Sequence, residues 1–133
     1  RRLRHWLAFL YFCRGSMLLY GGTEFAPRRQ VGLFDADDNF GDKRSDLSDF
    51  LRRCKAMKLE LPLEGAVWYE VSGGTVIGHY KSPAGEVTGV FDLSGEGEAT
   101  VVERADGVYE NQLGGDLTVT DGHIRTDGDP IVF

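Results

Sequence analysis

Thirteen of the 18 glycines in this chain fall after residue 63, and they separate short β-prone runs rather than joining a flexible tract. The runs are 66–71, 75–80, 86–93, 99–103, 107–110, 117–120, 123–126 and 130–133. Ser72-Gly73-Gly74, Ala84-Gly85, Asp106-Gly107, Asp121-Gly122 and Asp127-Gly128 punctuate them, as tight hairpin turns require. Eight short strands at this spacing predict an antiparallel sandwich or Greek-key barrel for residues 64–133.

Residues 1–63 read differently. Leu3, Trp6, Leu7, Leu10 and Cys13 recur at helical spacing, with Phe9 and Phe12 widening the apolar surface. This predicts a helix covered on more than one side, stopping near Arg14-Gly15. Met17-Leu18-Leu19-Tyr20 is then a continuous apolar run between glycines, the pattern of a strand buried on both faces in a parallel sheet. A polar loop over 23–44 follows, longer than most connections. Leu47, Phe50, Leu51, Cys54 and Met57 next mark a second amphipathic helix. Ser45 or Asp46 can cap it, Lys55 and Lys58 suit its negative end, and Pro62 stops it. One strand and two helices cannot bury the faces of a parallel unit, so neighbouring strands are expected outside this stretch. The opening on Arg1 fits that expectation.

Charge divides the chain at the same place. Residues 1–63 carry 12 Lys and Arg against 8 Asp and Glu, whereas residues 64–133 carry 3 against 13. The acidic half would repel phosphate backbones, which argues against a nucleic-acid partner. The apolar run over 6–13 is too short to span a membrane and lacks a signal-peptide cleavage site. The sequence names no compartment.

Several constellations carry little chemistry. Asp35, Asp37 and Asn39 suggest a calcium loop, but Phe40 stands where that loop needs Gly and Asp46 where it needs a bidentate Glu. His5, His79 and His123 lack ligand spacing, and neither Ser16 nor Ser72 sits in a nucleophile elbow. Cys13 and Cys54 read as small buried hydrophobes. No metal and no cofactor is expected. Strand alternation puts Trp68 and Tyr69 on opposite faces, so one of them is expected in the core.

Gly15-Ser16-Met17-Leu18-Leu19-Tyr20-Gly21-Gly22-Thr23-Glu24 resembles the G-x-P-x-x-x-x-G-x-E signature around the eighth barrel strand of the alpha-amylase family, with Met17 in place of Pro. The helix before it, Leu33-Phe34-Asp35 and the second helix are similar to the end of that family's barrel. The run from Asp106-Gly107-Val108-Tyr109 to Pro130-Ile131-Val132-Phe133 looks like its C-terminal β-domain. The resemblance implies an α+β fragment: residues 1–63 as the last helix–strand–helix of a (β/α)8 barrel, residues 64–133 as an antiparallel sandwich. It implies a glycoside hydrolase that acts on α-glucosidic bonds of starch-like glucans or maltooligosaccharides with retention. Such chemistry needs two carboxyl groups about 5–5.5 Å apart. The family carries them on earlier strands, so no catalytic residue is assigned here and the chain alone is expected to be inactive.

Glu24, Phe25, Arg28, Arg29 and Phe34 follow the eighth strand of that scheme, on the side where barrel enzymes build their sites. Glu24 is expected to fix the loop through hydrogen bonds, with Arg28 or Arg29 as partners. The rival readings are a non-catalytic carbohydrate-binding or interaction module built on the β-domain, and a catalytically dead family member. Exposed helix faces and an unpaired strand should make the whole chain associate, with residues 64–133 better behaved alone.

Overall fold

The structure, a computed structural model, describes residues 1–27, 45–96, 99–125 and 128–133. Two helices, α1 (Arg2–Phe12) and α2 (Ser48–Glu60), precede eight strands. These are β1 (Ala66–Ser72), β2 (Thr75–Ser82), β3 (Gly85–Asp92), β4 (Ala99–Val101), β5 (Gly107–Glu110), β6 (Asp116–Val119), β7 (His123–Arg125) and β8 (Ile131–Val132). Each coincides with one of the eight runs read from the glycine spacing, with ends differing by a residue or two.

Pairing is antiparallel throughout. β1, β2, β3 and β8 form one sheet in that order, while β4 pairs with β7 and β5 with β6. From β3 onward the pairs are nested, each enclosing the next. The four-stranded sheet is covered on both faces. On one side Tyr80, Phe91 and Val132 pack with Leu7, Ala8, Tyr11 and Phe12 of α1 and with Phe50, Leu51, Cys54 and Met57 of α2. On the other, Ile77, Val90 and Ile131 meet Val102, just past β4, and Leu117, Val119 and Ile124 from the smaller strand pairs. Alternation along each strand supplies both cores from one sheet.

Phe12 is the contact that seats α1. Its side chain is fully buried and its ring lies 5.0 Å from that of Tyr80 and 5.2 Å from that of Phe91. Gly78 and Gly89 stand opposite each other on β2 and β3, leaving a notch in the sheet. A Cβ on Gly78 would fall inside the van der Waals shell of the Phe12 ring, and one on Gly89 would come within 3.0 Å of it. The Tyr80 hydroxyl donates to the Phe12 carbonyl at 2.7 Å, which satisfies an acceptor at the helix end. Lys58 of α2 donates to the carbonyls of Tyr11 and Cys13 at 3.1 and 2.7 Å, so a cation from one helix closes the negative end of the other.

A buried Asn joins the far end of the fold. Asn111, just past β5, accepts the amides of Leu113 and Val132 on its Oδ1, each at 3.0 Å, and donates to the Pro130 carbonyl at 3.2 Å. It thereby fastens β8, only two residues long, beside the sheet.

Four expectations need correction. Residues 17–20 are extended but form no strand, because no described strand offers them a partner; Leu18 is 91% exposed and Tyr20 58%. Met17 and Leu19 pack only at the edge of the core. On α1 the buried stripe is Leu7, Ala8, Tyr11 and Phe12 together with His5, whereas Leu3, Trp6 and Leu10 face outward. The stripe read from the sequence included the exposed face because this helix is apolar nearly all round. Neither Trp68 nor Tyr69 is core: alternation does separate them, but β1 is an edge strand and both stay partly exposed. The apolar stripe of α2 is covered rather than bare, since all its members lie in the core shared with the sheet. Residues 64–133 alone would lose the cover that this shared core places over Tyr80, Phe91 and Val132.

The second helix starts slightly later than its candidate caps suggest. Asp46 Oδ1 accepts the Ser48 amide at 2.9 Å, so Asp46 still satisfies a first-turn donor. Cys54 is fully buried as expected, while Cys13 is half-buried.

Candidate functional site

Two places in the fold concentrate polar groups that could serve a ligand. The first is the turn that follows the extended 16–20 segment. Thr23–Phe25 form a single turn of 3-10 helix entered through Gly22, whose φ of 94° lies in the left-handed region that glycine adopts without strain. The Glu24 carboxylate accepts the Gly22 amide at 3.0 Å, and the Thr23 hydroxyl donates to the Tyr20 carbonyl at 2.7 Å. The Glu24 carbonyl accepts the Leu47 amide at 2.8 Å. This bond ties the end of the turn to the start of α2, closing the base of the connection between them. The Glu24 side chain therefore braces its own turn through the Gly22 amide, while the expected partners Arg28 and Arg29 lie outside the described residues. Phe25 is half-buried on the same turn. Arg28, Arg29 and Phe34, with the Asp35–Asp37–Asn39 pattern, lie outside the described residues. The structure therefore brings Glu24 and Phe25 together and leaves the rest of that set open.

The second place centres on His79, which spacing along the chain set aside. His79 of β2 is 4% exposed, and neither of its ring nitrogens has a hydrogen-bond partner among the described residues. Its Nε2 stands 4.0 Å from a Glu70 carboxylate oxygen and its Nδ1 3.9 Å from one of Glu86. The indole of Trp68 stacks on the imidazole with ring centroids 4.8 Å apart and planes 11° from parallel. Arg104 holds the neighbouring strand from the other side, donating to the Glu86 carbonyl at 2.9 Å and to the Thr88 hydroxyl at 3.2 Å. Beside His79 a groove of 250 Å³ opens between β1–β2 and the chain from Thr100 in β4 to Glu103. The signal was present in the turn: Gly73-Gly74 pairs Ser72 with Thr75, and period-two counting then sets Trp68 opposite His79. Scattered histidines gave no ligand spacing along the chain because the spacing exists only across strands.

The remaining buried titratable groups are structural. Burial lowers the His5 pKa below its ordinary 6.5, with the carboxylates of Asp92 and Asp129 opposing. Its Nδ1 accepts the Asp92 amide at 3.0 Å. Burial pushes the Cys54 thiol up to about 12 and raises Tyr11, Tyr69 and Tyr80 above the usual phenol range. Among the described residues no group of three His, Cys, Asp or Glu side chains is placed to hold a metal ion, and no helix is long and apolar enough to cross a membrane.

Residues 69–133 match the family model described as the bacterial alpha-amylase C-terminal domain. The whole chain superposes on part of an alpha-amylase from Lactobacillus plantarum with a TM-score of 0.88 and 27% identity, over 99% of this chain and 32% of that one. A noncanonic maltogenic alpha-amylase, AmyB, from Thermotoga neapolitana shares the fold with a TM-score of 0.73 and 14% identity, over 98% of this chain and 35% of that one. The chain thus spans about a third of the length of these two enzymes. No curated protein matches it. A C-terminal β-domain matched by its own family model, on a chain whose full length follows the fold of an alpha-amylase, makes this polypeptide a C-terminal portion of an alpha-amylase-family protein.

Proposed function

We propose that this chain completes a retaining hydrolase or transglycosylase of α-glucosidic bonds, with residues 1–63 closing its catalytic barrel and residues 64–133 forming a Greek-key β-domain behind it. The observation that carries the reading is the outward face of α1. Leu3, Trp6 and Leu10 are 39–44% exposed in one row, beside an extended 16–20 segment whose backbone has no strand partner among the described residues. An apolar helix face next to an unpaired extended segment is what the last unit of a parallel barrel presents when its neighbours are absent. The superposition on an alpha-amylase over nearly the whole chain supports the same assignment.

In that arrangement the turn at Glu24 faces the substrate side, and Glu24 acts by shaping the loop. Phe25, Arg28, Arg29 and Phe34 belong to that loop as candidate substrate contacts. The nucleophile and the acid/base carboxyl, about 5–5.5 Å apart in a retaining enzyme, come from strands outside these residues. The partner in the complete protein is an α-glucan or maltooligosaccharide. Incubating the 133-residue chain with maltodextrin tests the division of labour. No increase in reducing ends should appear, and sustained cleavage would mean that the catalytic pair lies within these residues.

A further inference from the structure

We propose that the groove beside His79 is a binding site for a single uncharged sugar ring. It is lined by Glu70, Ser72, Thr75, His79, Thr100 and Glu103 over a floor that includes Ile77. A buried imidazole with two unbonded nitrogens is costly, because burial removes water without supplying a replacement partner. The His79 Nε2 and Glu70 carboxylate are 4.0 Å apart, too far for a direct hydrogen bond and close enough for one hydroxyl to bridge them.

The lining selects the chemistry of the occupant. Three hydroxyls can donate or accept, while Glu70 and Glu103 only accept when ionised, so the ligand must bring donors. Glu70 and Glu103 in the lining, with Glu86 beside His79, disfavour an anion. A metal ion lacks a suitable set of three ligands among the described residues. The groove's 250 Å³ falls below the roughly 300–1,000 Å³ of drug-sized sites, which suits one ring. Trp68, 36% exposed, stacks on His79, so its indole reports on whatever meets that imidazole in the groove.

The choice of an α-glucan probe rests on the function proposed above; the site itself rests on the groove. Titrating the 133-residue chain with maltose, and separately with cellobiose, while following the Trp68 indole and His79 ring signals by NMR tests both. Maltose should shift those signals with saturation at millimolar concentration. Glu70→Ala, a change at a largely exposed side chain, should weaken binding about tenfold by removing a charged acceptor. His79→Phe keeps the stack under Trp68 and should abolish the response. If that variant does not fold, Glu70→Ala decides alone. Cellobiose binding without maltose binding would uphold the groove and count against the α-glucan assignment. Shifts with ammonium or calcium salts alone would overturn the proposal and make the occupant a cation, and no response to either disaccharide would overturn it and leave a bridging water. That result would not touch the hydrolase reading, which the activity of the complete enzyme decides.

Discussion

Replacing Phe12 by Ala should cost this protein a large share of its stability, and the structure says which second change should reveal why. The ring is fully buried, touches two other aromatic rings and fills the notch over Gly78 and Gly89. Truncating a buried Phe costs about 3–5 kcal/mol through lost transfer energy and the cavity left behind. A domain of this size is stable by roughly 5–15 kcal/mol, so the variant should remain folded but with a much lower urea midpoint. With a slope of about 2 kcal/mol per molar urea, the midpoint should fall by roughly 2 M. Gly78→Ala alone places a methyl group inside the Phe12 ring's contact shell and should cost about 1–3 kcal/mol by overpacking. Its backbone is ordinary strand, so φ strain contributes nothing. In the Phe12→Ala background the same methyl enters vacated space, and its cost should shrink by about 1–2 kcal/mol, within the usual range for contacting residues. Two-state denaturation of the wild type, both single variants and the double variant measures this coupling. Losses that simply add, within about 0.5 kcal/mol, would show that ring and notch do not meet in solution.

Asn111→Ala removes one acceptor for two buried amides and a donor to Pro130, and should cost about 3 kcal/mol in the same assay. Cys54, with its thiol pushed up to about 12 by burial, should resist alkylation at a pH near its unperturbed 9.0, whereas the half-buried Cys13 reacts. One thiol per chain should therefore titrate in native buffer and both in denaturant. Because the folded pKa is raised, Cys54 adds stability below its unfolded value of 9.0 that is lost as pH rises toward about 12. The raised Tyr11 and Tyr80 act in the same direction at the alkaline end. His5 works at the opposite end: its folded pKa is depressed, so its contribution is present above 6.5 and lost as pH falls through the folded value. His5→Gln should flatten that acid limb of the urea midpoint against pH. Residues 64–133 produced alone should associate on size-exclusion chromatography, since Tyr80, Phe91 and Val132 lose their helical cover. A monomeric, cooperatively folded β-domain would refute the shared core.

The β half was legible because its signals are local. A glycine pair between two alternating runs specifies a hairpin without reference to anything distant, as at Ser72-Gly73-Gly74-Thr75. The stripe of α2 was equally clear, since only one face of that helix is apolar. The α1 face was not, because Leu3, Trp6 and Leu10 are as apolar as the residues that are buried, and only the position of the sheet chooses between them. Residues 17–20 read as a strand on composition, yet a strand exists only with a neighbour to bond, and composition cannot supply one. Glu24 drew attention through its place in a family signature, and the structure shows its hydrogen bond to Gly22, while the His79 groove depends on cross-strand geometry that linear spacing hides.

The nesting of β3 with β8, β4 with β7 and β5 with β6 gives assembly a direction. The innermost hairpin can form as soon as Val119 has left the ribosome, but the outermost pair waits for Val132. Until then Val90 and Phe91 have no β8 beside them, and both cores stay open at the same edge. Closure across so much intervening chain is slow compared with hairpin formation. The nascent protein therefore passes through an interval with the long sheet built and its last border bare, when a chaperone or a neighbouring nascent chain has its best access to β3.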